Sequence, residues 1–143
     1  MRIQDLLRGK TESGVVTIRP GAGVRELLSL LAEHNIGAVI VSDDGSRLDG
    51  IVSERDVVRR LGTDERVLDG PVSAIMTRSV RSCESSTPVD DLMQLMTEHR
   101  FRHVPVVDEG RLVGIISIGD VVKGRIDQLE FERDQLDHYL HQG

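Results

Sequence analysis

Aromatic residues are nearly absent from this sequence: two Phe, one Tyr and no Trp make up 2% of its 143 residues. That leaves no platform on which unpaired bases would stack. An excess of positive charge is missing as well. Eighteen Lys and Arg stand against 24 Asp and Glu, a formal net charge of −6, where a duplex or single-strand binder would carry a basic face. Nucleic acid is therefore disfavoured as a partner. The single cysteine, Cys83, excludes an internal disulfide and fits a reducing compartment. No apolar run approaches the roughly 20 residues of a membrane span, and Met1-Arg2-Ile3-Gln4-Asp5 lacks the apolar stretch of a signal peptide. The expectation is a cytoplasmic protein without a membrane partner.

Catalytic signatures are also lacking. The sequence contains no Gly-x-Ser-x-Gly, Walker A or His-Glu-x-x-His motif. Its five histidines do not fall at metal-ligand spacing, and Cys83 has no recognisable catalytic surroundings. The expectation is a protein that is not an enzyme and holds no metal. What is present is an ordinary globular composition, 38% apolar and 29% charged. The length suits one compact domain whose core needs neither disulfide nor metal.

The chain repeats itself. Glu33-His34-Asn35-Ile36-Gly37-Ala38-Val39-Ile40-Val41 parallels Glu98-His99-Arg100-Phe101-Arg102-His103-Val104-Pro105-Val106. Arg47-Leu48-Asp49-Gly50-Ile51-Val52-Ser53-Glu54-Arg55-Asp56-Val57-Val58 parallels Arg111-Leu112-Val113-Gly114-Ile115-Ile116-Ser117-Ile118-Gly119-Asp120-Val121-Val122, with one extra residue near Ser46 in the first copy. Each copy reads as β-α-β-β-α. In the first, Val15 to Ile18 predicts a strand. Pro20-Gly21-Ala22-Gly23 breaks the chain, and Val24, Leu27, Leu28 and Leu31 recur at helical spacing. Ala38 to Val41 and Leu48 to Val52 predict a hairpin turned by Asp43-Asp44-Gly45-Ser46, and Ser53 opens another helix. The second copy predicts a strand near Val80, a helix from Val89, strands at Val104 to Val107 and Leu112 to Ile116, and a helix from Ile118. One such unit is too small to close a core alone. Two facing each other bury a common surface around a pseudo-two-fold axis, with two related clefts.

Both copies start their last helix with Ser-x-x-Asp, at Ser53 to Asp56 and Ser117 to Asp120. One reading is a capping box: Ser caps the helix and the acid favours its positive end. Thr87-Pro88-Val89-Asp90 suggests that caps are used elsewhere in the chain, with Pro88 at the first helical position. The other reading is that each Asp also accepts the ribose hydroxyls of a nucleotide beside free helix N–H groups. Repetition, and placement directly after a Gly-Ile strand end, raise the second reading.

Gly50-Ile51-Val52-Ser53-Glu54-Arg55-Asp56 and Gly114-Ile115-Ile116-Ser117-Ile118-Gly119-Asp120 resemble the Gly-h-x-Ser/Thr-x-x-Asp signature of CBS (cystathionine-β-synthase-type) domains. Arg102-His103-Val104-Pro105-Val106-Val107-Asp108 resembles the strand that precedes it in that family, and Ala74-Ile75-Met76-Thr77 its Met-Thr lead-in. The resemblance runs from about Ile3 to Lys123 and is to the compact stand-alone two-repeat form with a helical tail. It implies an α/β fold of two repeats, residues 1–63 and 64–124, followed by a helical extension at 125–143. It also implies a non-catalytic regulatory module for an adenine nucleotide: AMP, ADP or ATP, with NAD, NADH and S-adenosylmethionine as further adenosine ligands. Asp56 and Asp120 would hold ribose, and Ser53 and Ser117 the ribose or α-phosphate. Ile36, Gly37 and Ala38 would line one adenine slot with Ile51; Phe101, His103 and Ile115 would line the other. Lead-in residues of the opposite repeat would complete the slots, Thr77 and Val80 in one, Val15 and Thr17 in the other. The first lead-in departs from the Met-Thr pattern, reading Leu6-Leu7-Arg8-Gly9-Lys10, and Lys10 is counted among the expected site residues.

Arg55, Arg59 and Arg60 lie on or near the first cleft helix, and Arg100, Arg102, His103 and Lys123 around the second; Arg suits bidentate phosphate contact. Solvated helix charge is the competing reading for Arg59, Arg60 and Lys123. Beyond Asp120, Val122, Ile126, Leu129, Leu136 and Leu140 keep a 4-3 rhythm broken at Arg133. Such a stripe needs a partner, and a homodimer is expected, with Phe131 and Tyr139 adding to the contact and an unidentified regulated protein downstream. The competing function is a ligand-free dimerisation or protein-interaction module.

Overall fold

The computed structural model describes residues 1–10 and 15–141, so the last two residues of the expected tail lie outside the described residues. Helix α1 (Ile3–Arg8) precedes a first half made of β1 (Thr17–Ile18), α2 (Val24–His34), β2 (Ala38–Val41), β3 (Gly50–Ser53) and α3 (Glu54–Leu61). Two short 3-10 turns, Glu65–Asp69 and Val72–Ala74, lead to the second half: α4 (Val89–His99), β4 (His103–Asp108), β5 (Arg111–Ser117) and α5 (Ile118–His141).

In the first half β2 lies between a parallel β1 and an antiparallel β3, with Ile18 opposite Val41 and Ile40 opposite Ile51. All four residues of β2 are buried, which explains why it reads as a continuous apolar run rather than an alternating one. In the second half β4 and β5 form an antiparallel pair, with an irregularity at Val106/Val107. The strand expected near Val80 does not form. Its place is taken by a one-residue parallel bridge at Cys83, whose N–H donates to the Pro105 carbonyl at 3.0 Å while its carbonyl accepts from Val107 at 2.8 Å. The physical reason is local. Arg78, Ser79, Arg81 and Ser82 are exposed, and Cys83 alone of this stretch is buried. One inward residue anchors a bridge but not a ladder.

The start of α4 also differs from expectation. Pro88 stands at the cap rather than inside the helix, and the Thr87 hydroxyl accepts from the Glu84 N–H, tightening the preceding turn. The first N–H of α4 donates instead to the Met1 carbonyl at 3.1 Å.

That bond belongs to a larger exchange. Ile3 and Leu6 of α1 sit in the core of the second half, with Leu92, Val104 and Ile116. Val72 and Ile75, which lead into the second half, sit in the core of the first, with Leu27, Val41 and Val52. Backbone bonds fix the exchange: Ile3 N–H to the Thr87 carbonyl and Val72 N–H to the Ala22 carbonyl. Each half therefore buries a helix or turn that precedes the other half in sequence. Deleting a fully buried side chain such as Leu27 or Leu92 from such a core costs about 2–5 kcal/mol.

Helix α5 runs for 24 residues, about 36 Å. Val121 anchors it in the core, whereas Val122, Ile126, Leu129, Leu136 and Leu140 are exposed. Its early turns pass so close to α1 that a Cβ at Gly124 would overlap the Leu6 side chain.

Candidate functional site

The exchanged lead-ins bring each Gly-Ile strand against the opposite half. At the first crossing, Ile51 and Thr77 trade backbone hydrogen bonds at 3.0 and 2.9 Å. A Cβ at Gly50 would stand 2.7 Å from the Thr77 carbonyl oxygen. At the second crossing a Cβ at Gly114 would stand 2.6 Å from the Leu7 side chain, and Lys10 Nζ donates to the Ile115 carbonyl at 2.7 Å. The glycine of the repeated motif is thus the residue that admits the crossing chain.

Just beyond each glycine lies a Ser-x-x-Asp helix start, and the two starts are built alike. The Ser53 N–H donates to Asp56 Oδ2 at 2.8 Å, and the Asp56 N–H returns to Ser53 Oγ at 3.3 Å. The Ser117 N–H donates to Asp120 Oδ2 at 2.9 Å, and the Asp120 N–H returns to Ser117 Oγ at 3.1 Å. Each is a reciprocal capping box, so the capping reading holds at both positions. In neither aspartate does Oδ1 take a hydrogen bond from the described residues, which leaves an acceptor for a hydroxyl.

The two aspartates differ in their further partners: the Ser53 hydroxyl also donates to Asp56 Oδ2 at 3.1 Å, and a cation stands against Asp120 alone among the described residues. Lys10 Nζ lies 3.0 Å from Asp120 Oδ2, while Asp56 has no cation against it among the described residues. Burial pushes the Asp120 carboxyl up, but the Ser117 N–H and the Lys10 ammonium outweigh it and hold the group below the usual carboxylate range. Burial pushes the neighbouring His103 imidazole down, only partly offset by the charge of Asp120, which favours the neutral ring with its one donor and one acceptor.

Asp120, Ser117, Ile115, His103, Lys10 and Val15 line one open cleft of about 920 Å³. Ile36, Gly37 and Ala38, assigned from the resemblance to the slot of Ile51, line this same cleft from across the pair. The early turns of α5 form a further wall through Lys123, Gly124, Gln128 and Phe131. Ile51, Ser53, Asp56 and Thr77 gather instead at the first crossing, where Thr77 and Arg55 are exposed.

Four expected residues lie elsewhere. Thr17 is paired with Ile40 inside the sheet and lines a separate shallow groove with Glu26 and Glu33. Phe101 packs on the second core and stacks on His99 at 5.5 Å between ring centroids. Arg102 is exposed, and its carbonyl accepts the first N–H of α5. Val80 is half-buried in the turn after Thr77. Arg59 and Arg60 are exposed on α3, and Arg100 is exposed at the end of α4.

Sequence reasoning missed Leu7, Val16 and the tail residues Gln128 and Phe131 as cleft walls. Position in the apolar stripe assigned Phe131 to a partner contact. A clue lay in Gly124, a small residue within a helical stripe, which lets α1 approach α5. Among the described residues no cluster of His, Cys, Asp or Glu is arranged to hold a metal, and no helix is long and apolar enough to cross a membrane.

The same architecture occurs in known proteins. A CBS-domain protein from Agrobacterium tumefaciens superposes with a TM-score of 0.82 at 44% identity, covering 87% of this chain and 99% of that one. The Bacillus subtilis CBS domain-containing protein YhcV is 36% identical over 107 residues, 75% of this chain and 76% of its own length. Two other similar structures were solved with adenosine compounds. One is a CBS domain protein from Pyrobaculum aerophilum complexed with AMP (31% identity, TM-score 0.73, 84% of this chain and 89% of that one). The other is the CBS domain pair of protein MJ0100 with 5′-methylthioadenosine and S-adenosyl-L-methionine (26%, 0.76, 86% and 98%). The inosine-5′-monophosphate dehydrogenase of Aquifex aeolicus matches at 32% identity, but over only 24% of the enzyme's length. Residues 10–63 and 72–127 each match the family model of the CBS domain, and the chain, built from two such repeats whose lead-ins cross, belongs to the CBS-domain family.

Proposed function

We propose that this protein is a non-catalytic regulatory module that binds an adenosine-containing nucleotide in the clefts between its two repeats and signals by a change in their mutual arrangement. The observation that carries this reading is the ionised Asp120, whose Oδ1 takes no hydrogen bond among the described residues, set at a helix start in a cleft large enough for a nucleotide. Apolar faces at Ile36, Ala38 and Ile115 suit adenine, Asp120 and Ser117 suit the ribose, and Lys10 and Lys123 suit phosphate. The relatives solved with AMP, methylthioadenosine and S-adenosylmethionine support the ligand class. AMP, ADP and ATP come first on account of the two lysines, with NAD or NADH as larger members of the class. Asp56, Ser53, Ile51 and Thr77 form the related second station.

The test is calorimetric titration with AMP, ADP, ATP, NAD, NADH and S-adenosylmethionine, repeated on Asp120→Ala and Asp56→Ala. Micromolar binding of one of them, lost in one variant, supports the reading and identifies the cleft. No heat and no thermal shift with any of them reduces both motifs to helix caps.

A ligand shifts a conformational equilibrium only through its differential affinity for the two states. Helix α5 is the element through which that difference would travel, because it carries Asp120 in its first turn and walls the cleft as far as Phe131. Its exposed side chains at Leu136, Tyr139 and Leu140 favour a second role as a homodimer contact, or as the contact with a regulated protein. Truncation after Glu132 removes these three and keeps the cleft wall. Loss of a dimer in light scattering with ligand binding intact assigns the tip of α5 to assembly. Unchanged solution scattering and tail hydrogen exchange at saturating ligand would sink the signalling mechanism.

A further inference from the structure

The Lys10–Asp120 ion pair has no counterpart at Asp56 among the described residues, and it lies inside the cleft. Lys10 does not reach Asp120 by chance of a long side chain on an open surface. Its ammonium is held by two acceptors, the Ile115 carbonyl at 2.7 Å and Asp120 Oδ2 at 3.0 Å, and both its side chain and that of Asp120 are about two-thirds or more covered. Oδ2 is already taken by the Ser117 N–H. A ribose that uses both hydroxyls must share Oδ2 with the ammonium or displace it.

We infer that Lys10 makes the Asp120 cleft selective for adenosine ligands that carry an anion at the 5′ position. This rests on the adenosine-binding reading above and names the chemical class the cleft accepts. A neutral nucleoside competes with Lys10 for Oδ2 and offers the ammonium only neutral hydroxyl acceptors in return, so a charge-assisted contact is exchanged for a weaker one in a partly covered cleft. A 5′-phosphate replaces the lost contact with a charge-assisted one. A sulfonium adds a second cation beside Lys10 and Lys123 and is disfavoured by both. Asp56 meets no such cation among the described residues, so its ribose acceptor is not contested in this way.

The experiment isolates the cleft with Asp56→Asn, which keeps an acceptor at the helix cap, and titrates AMP and adenosine, ligands that differ only in the phosphate. In that background AMP binds tighter than adenosine by about tenfold or more. Lys10→Met, which keeps most of the side-chain length without the charge, shrinks the ratio to about threefold or less, through weaker AMP and unchanged or tighter adenosine. Lys10→Arg, which keeps the charge, retains the discrimination and controls for loss of folding. A ratio untouched by Lys10→Met overturns the inference while leaving adenosine binding in place. Failure of both ligands to bind the unsubstituted protein removes the adenosine reading itself, and the inference with it.

Discussion

The two halves share a plan but not a set of tolerances. Each passes a Gly-Ile strand under the lead-in of the other, yet Gly50 lies against backbone and Gly114 against a leucine tip. A Cβ at Gly50 would meet the Thr77 carbonyl at 2.7 Å and Met76 Sδ at 3.2 Å; one at Gly114 would meet Leu7 Cδ2 at 2.6 Å. The carbonyl is held by its bond to Ile51, while a side-chain methyl rotates away. One motif residue is therefore rigidly required in the first half and more loosely in the second.

That contrast is open to a direct attack. Gly50→Ala is expected to cost about 3 kcal/mol, because relief means breaking the crossing. Gly114→Ala is expected to cost about 1 kcal/mol, because Leu7 changes rotamer. Equilibrium urea unfolding of both variants gives the comparison. In a double-mutant cycle, Leu7→Ala combined with Gly114→Ala is expected to be less destabilised than the sum of the two single changes. Equal costs for the two glycines would show that the crossings are equally stiff and that the difference in their neighbours does not matter.

The ends of α2 and α4 give a second contrast. Both close on a left-handed residue, Asn35 at φ 52° and Arg100 at φ 56°. Asn tolerates that conformation because its short polar side chain bonds locally; Arg does not share the advantage. Arg100 is exposed, so replacing it removes no buried contact. Arg100→Gly is expected to stabilise the protein by about 0.5–1 kcal/mol, and Asn35→Gly to change it by only about a few tenths. The midpoint of thermal unfolding reads the sign. A loss at Arg100 would mean that its guanidinium has a role that the backbone cost conceals.

These contrasts also separate what sequence could disclose from what it could not. The duplication, the helices from Val24 and Val89, both hairpins and both Ser-x-x-Asp caps were legible, because each depends on residues near one another in the chain. Periodicity and cap chemistry act over a few residues, and both copies obey them. The exchange of lead-ins was not legible from spacing; it entered only through the family resemblance. The apolar pattern of Ile3 and Leu6 says that they are buried, not in which half. The family resemblance groups Ile36, Gly37 and Ala38 with Ile51, and in the structure they wall the Asp120 cleft. The strand near Val80 failed on a different count: β-propensity at one valine does not outweigh four exposed polar neighbours. Lys10 was singled out only as a departure from a motif, and its partner, 110 residues away, was beyond any local rule.

His103 supplies the smallest effect. Its counterpart in the first half is Ala38, since His103 stands opposite Ser117 as Ala38 stands opposite Ser53. Burial lowers the imidazole's affinity for a proton, with Lys10 and Arg102 opposing the charged form and Asp120 and Glu54 favouring it. The folded state therefore binds fewer protons than the unfolded chain between the depressed folded value and the ordinary 6.5. Stability must fall as pH drops through that window and is fully recovered above it. Asp120, held below its ordinary carboxylate value, stays ionised there and titrates only at lower pH, so it does not mask the effect. The other histidines are present in both the parent and His103→Gln. Urea unfolding at pH 7.5 and pH 5.5 should show a smaller acid loss in His103→Gln than in the parent. An unchanged loss would place the proton uptake on another histidine, and would mean that His103 charges in the folded cleft as readily as it does in water.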